Sequence, residues 1–72
     1  MEILGTLPSR IQAERMVGEL VIEGDYELTH YENELAVYAR KGNGGVTEEI
    51  TVVRKAERQW QVVRREKQVI KK

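Results

Sequence analysis

The sequence predicts an α+β fold. Its parts are a short N-terminal strand, one amphipathic helix over about residues 10–23, and an antiparallel meander over about 25–32, 35–41, 46–54 and 58–66. Three observations carry this. Ala13, Met16, Val17, Leu20 and Val21 recur at the spacing of one helical face. Beyond Gly24 the apolar residues alternate with period two, as in half-buried strands. Gly42-Asn43-Gly44-Gly45 then divides two such stretches with the strongest turn signal in the chain.

Each element has a local reason. Residues 1–7 alternate weakly and stop at Pro8. Ser9 is a good N-cap, and Gln12 three residues on completes a capping-box pattern. Gly24 is the expected helix stop, taking the left-handed conformation. A two-residue turn at Asn33-Glu34 pairs Glu32 with Leu35, hence His30 with Val37 and Leu28 with Ala39. A four-residue connection at 42–45 pairs Lys41 with Val46, hence Val37 with Ile50 and Leu35 with Val52. A three-residue connection at 55–57 places Trp60 opposite Val52 and Val62 opposite Ile50. The expected helix-facing set is therefore Leu28, Leu35, Val37, Ile50, Val52, Trp60 and Val62. Residues 46–66 also admit a helix through Ile50, Val53, Ala56 and Trp60, which would give a ferredoxin-like β-α-β-β-α-β order. The β-branched run Ile50-Thr51-Val52-Val53 favours strands instead.

Composition narrows the function. Seventy-two residues imply one domain, here 1–67 with 68–72 as a basic tail. A chain of this size buries only about 60% of its unfolded surface, so its core is marginal and self-association is an expected source of stability. There is no cysteine for a disulfide or thiolate metal site. No run approaches the ~18 apolar residues of a membrane span, and Met1-Glu2-Ile3-Leu4 lacks the pattern of a signal peptide. A cytoplasmic protein without a membrane partner is expected. The net charge is zero, but residues 1–50 carry −6 and residues 51–72 carry +6. Such asymmetry suits an acidic partner for the basic end.

Two short stretches resemble known families. Gly5-Thr6-Leu7-Pro8-Ser9-Arg10 with Ala13-Glu14-Arg15-Met16-Val17 is similar to the opening of an SH2 domain. The resemblance implies a phosphotyrosine strand at Gly24 to Thr29, but its phosphate-binding arginine falls on Thr29, so that activity is not carried over. Ile3 to Leu7, the helix with Ala13, and Gly24-Asp25-Tyr26 also resemble the first half of SPOR domains, small peptidoglycan-binding modules. That likeness implies a helix over residues 46–58 and an exported protein.

Candidate chemistry is sparse. His30 is the sole histidine and Ser9, the sole serine, is engaged as a cap, so no nucleophilic triad assembles. Its register places His30 on the core-facing side. The carboxylates Glu19, Glu23, Asp25, Glu27, Glu32, Glu34, Glu48 and Glu49 follow no ligand spacing. The glycine loop lacks the Gly-Lys-Ser/Thr ending or following helix of a phosphate cradle. No catalytic residue, cofactor, metal or small-molecule substrate is expected.

One helix covers one sheet face, which leaves the other open. The expected partner-binding residues on that open face are Tyr31, Tyr38, Arg40, Val63 and Arg65, since Tyr and Arg dominate interaction hot spots. The expected function is a non-enzymatic protein-binding module, self-associating or docking an acidic partner on this face and the basic C-terminal strand. The alternative is a nucleic-acid-binding accessory protein using Arg54, Lys55, Arg58, Arg64 and Lys67 as phosphate contacts.

Overall fold

A computed structural model describes residues 2–68. Pro8 and Ser9 end strand β1 (Glu2–Leu7) and start helix α1 (Arg10–Gly24), with the Gln12 N–H donating to Ser9 Oγ at 3.3 Å. Strands β2 (Glu27–Glu32), β3 (Leu35–Lys41), β4 (Val46–Ala56) and β5 (Gln59–Gln68) follow. The remainder of the expected tail, residues 69–72, lies outside the described residues. The helix stops one residue later than its glycine suggests. Asp25 takes the left-handed conformation (φ 54°), with Gly24 as the last helical residue. Gly24 has a different reason to be glycine: a Cβ there would lie 2.6 Å from the Tyr26 ring and 2.8 Å from the Arg40 guanidinium.

The five strands form one antiparallel sheet in the order β1-β5-β4-β3-β2. α1 carries the chain from one edge to the other, and the meander returns until β5 pairs with β1. α1 packs on β1, β4 and β5. Residues 46–68, which a ferredoxin-like or SPOR-like order reads partly as helix, are the two longest strands.

The register of β3 on β4 corrects the expected faces. Lys41 pairs with Thr47, not Val46, because the connection spans Gly42 to Val46. Asn43–Gly45 make a 3-10 turn, Gly44 and Gly45 are left-handed (φ 71° and 76°), and the Gly42 N–H donates to the Val46 carbonyl at 2.7 Å. One extra residue in a connection turns the whole strand over, because side chains alternate with period two. Ala36 thus pairs with Val52 and Tyr38 with Ile50, whereas Leu35 pairs with Val53 and Val37 with Thr51. Leu35 and Val37 stand on the open face; Ala36, Tyr38 and Arg40 stand beneath the helix.

The remaining strands need smaller corrections. A bulge at Thr29 sets Leu28 opposite Tyr38 in place of Ala39, and His30 keeps its pairing with Val37. His30 therefore shares the open face with Val37. The β4–β5 turn is two residues, Glu57-Arg58, with Arg58 left-handed (φ 58°) and a bulge at Lys55. Val52 meets Val62 and Arg54 meets Trp60. This shift is by two residues, so Trp60 and Val62 keep the predicted face.

The buried core is Ala13, Val17, Ala36, Ile50, Val52 and Val62, flanked by Leu4, Leu7, Met16, Leu20, Val21, Tyr26, Tyr38 and Trp60. The six buried side chains are alanines, valines and one isoleucine, and each fully buried aliphatic side chain contributes only about 1.5–3 kcal/mol. α1 lies close to β1, since a Cβ on Gly5 would sit 3.1 Å from Met16 Sδ.

Two glycine substitutions should move stability in opposite directions. Gly18→Ala meets nothing within 4 Å on the helix, and should raise unfolding free energy by about 0.5–1 kcal/mol. Gly44→Ala places a Cβ at φ 71°, and should lower it by about 1–2 kcal/mol. Urea denaturation of the two variants beside the parent checks both signs.

Candidate functional site

The two ends of the helix are pinned to the sheet by arginines. At its N-terminus the Arg10 guanidinium lies 4.4 Å from the Tyr31 ring centroid and 5.5 Å from that of Trp60. Its Nε donates to Glu14 Oε1 at 2.8 Å, and Nη1 donates to the Asn33 carbonyl in the β2–β3 turn. At the C-terminus Arg40 Nε donates to Glu48 Oε2 at 2.7 Å, and Nη1 donates to the Gly24 carbonyl at 2.8 Å. The Tyr26 hydroxyl donates to the same Glu48 oxygen at 3.0 Å, with Arg40 4.6 Å from its ring centroid. Hydrogen bonds from Arg40 and then Tyr26 hold the Glu48 carboxyl below the usual carboxylate range. Burial pushes the Tyr26 phenol up, and the bond to Glu48 adds to that shift.

These contacts relocate three of the five expected partner-binding residues. Tyr31, Tyr38 and Arg40 are on the helix side, where Tyr31 and Arg40 serve the two pins and Tyr38 packs on the core. The cause is the turned-over β3, together with β2 paired to it. Val63 and Arg65 are on the open face as expected.

That face carries an apolar row that runs straight across the sheet. Ile3 pairs with Val63, Val63 with Thr51, Thr51 with Val37, and Val37 with His30. Beside it runs Thr6, Gln61, Val53, Leu35 and Glu32. Ile3 is 57% exposed and Val63 8%, and Leu35, Val37, Thr51 and Val53 are half-buried. Sequence reasoning missed Leu35 and Val37 here because they are more apolar than Ala36 and so looked like core.

The charges on this face are unevenly spread. On β5, Arg65 lies 2.9 Å and Lys67 3.8 Å from the single Glu49 carboxylate. On β2, Glu27 and Glu32 mark the opposite border, with His30 Nε2 3.3 Å from Glu32. His30 is half exposed on an edge strand. Among the described residues, no three metal-ligating side chains converge.

The basic segment does not gather on one face. Strand alternation sends Arg54 and Arg64 to the helix side, opposite Trp60 and Ile50, with Arg54 bonded to Glu34 at 3.1 Å. Lys67 and Arg65 point to the other side. Lys55 and Arg58 occupy the bulge and turn at the far end. Among the described residues no helix is long and apolar enough to cross a membrane. No protein-family model, curated protein or solved structure matches this chain.

The Arg40–Glu48 contact has a pH consequence. Glu48 binds its proton less readily folded than unfolded, so the contact stabilises fully above the ordinary glutamate value of about 4.3 and fades as pH falls through the lowered folded value. Glu48→Gln should therefore flatten the acid limb of stability against pH. Thermal denaturation of both proteins from neutral pH downward checks this.

Proposed function

We propose that this chain is a non-enzymatic, cytoplasmic protein-interaction module that self-associates by burying its open sheet face. The observation that carries this is the apolar row Ile3, Val63, Thr51 and Val37, which has no layer packed over it among the described residues. Two further features support it. The core beneath the helix is built from few and small side chains, and chains of this size commonly gain stability by association. Both sheet edges carry a bulge, at Leu4 in β1 and Thr29 in β2. Bulges blunt an edge against strand addition, which leaves the face as the better contact surface.

Sedimentation equilibrium from micromolar to millimolar concentration tests this. The parent should show a reversible dimer. Val37→Asp should weaken it at least ~10-fold, because an unpaired carboxylate buried in an apolar contact costs well over 1.4 kcal/mol. Ile22→Asp, on the outer helix surface where Ile22 is 80% exposed, should leave association unchanged. A parent that stays monomeric at millimolar concentration overturns the proposal.

A further inference from the structure

A cavity of about 210 Å³ opens on the helix side of the sheet, beneath the last turns of α1. We infer that it binds a small zwitterion with an aliphatic side chain, of the class of the free branched-chain amino acids. The cavity lies away from the open face, so this inference goes beyond self-association and does not depend on it.

The floor is apolar. Leu4 from β1, Leu20 from α1 and Ile50 from β4 line it. Ile50 is buried, whereas Leu4 and Leu20 are only half-buried and keep apolar surface that a ligand would cover. The volume falls below the roughly 300–1,000 Å³ of drug-sized sites, which restricts the ligand to one short side chain and its head groups.

The rim carries one open charge of each sign. Arg64 from β5 lines the cavity and is exposed. Among the described residues it enters no ion pair, although Glu2 opposite and Glu66 two residues on share its face. The other lining arginine, Arg40, is already bonded to Glu48 and to the Gly24 carbonyl. Arg64 is therefore the open fork for a carboxylate. Its charge reaches the Glu48 carboxyl, adding to the hydrogen bonds from Arg40 and Tyr26 that hold that group down. The helix end supplies the opposite sign. Glu23 lines the cavity, is exposed and enters no ion pair among the described residues. The last turn of α1 has no basic residue, and the carbonyl end of a helix favours an ammonium group. A simple anion would leave Glu23 unmatched, and a simple cation would leave Arg64 unmatched. A zwitterion satisfies both.

L-Leucine is the probe, titrated into the chain and followed by amide NMR shifts. It should move the amides of Leu4, Leu20, Gly24 and Ile50 with a Kd on the order of 1 mM. Isovalerate lacks the ammonium and leucinamide lacks the carboxylate, and each should bind at least ~10-fold more weakly. Arg64→Gln should weaken leucine by a similar factor and leave leucinamide unchanged. Glu23→Gln should weaken leucine and strengthen isovalerate. Both side chains are exposed, so both variants should fold. Val37→Asp, which breaks the open face, should bind leucine as the parent does. Isovalerate binding as tightly as leucine, or leucine binding that survives Arg64→Gln, overturns the inference. So does leucine that leaves these amides unmoved at ~10 mM, well above the expected Kd.

Discussion

The connection from Gly42 to Val46 decides more about this molecule than any side chain does. Its two left-handed glycines and its 3-10 turn set Lys41 opposite Thr47. That parity directs Ala36, Tyr38 and Arg40 beneath the helix and leaves Leu35 and Val37 outside. A strand has no intermediate option, since a one-residue slip exchanges its whole set of side chains between faces. The open face and the pin at the helix C-terminus both follow from this parity.

Seen from the helix side, the parity has an evident benefit. A larger residue than Ala36 would crowd the buried cluster it shares with Ala13, Val17, Ile50, Val52 and Val62. Arg40, two pleat repeats further on, reaches Gly24 and Glu48, and ties the helix end, β3 and β4 into one hydrogen-bonded unit. Arg10 does the corresponding work at the other end by seating on Tyr31 and Trp60. The helix is thus held by apolar contact along its middle and by charged groups at both ends. The β2–β3 hairpin, on which the helix packs less than on β1, β4 and β5, is held through these same arginines.

Much of this was legible beforehand. The helix stripe, the Ser9 cap and all five strands follow from local periodicity and turn residues, and the strand ends fall within a few residues of expectation. Val63 and Arg65 were placed correctly because the β4–β5 shift is an even number of residues. Tyr31, Tyr38 and Arg40 were misplaced because a four-residue connection at 42–45 sets Lys41 opposite Val46, whereas the connection takes five residues and sets it opposite Thr47. His30 moved with them.

Local periodicity and turn chemistry in the sequence by themselves determined the elements, their order and the existence of one uncovered sheet face. Only the tertiary structure decided which residues occupy that face. The physical reason lies in the glycine-rich connection. Its residues tolerate several backbone paths of slightly different length, so its composition announces a turn without stating how many residues the turn consumes. The packing of Ala36 against the helix and the reach of Arg40 to Gly24 select one of those paths, and the opened face is what that choice leaves outside.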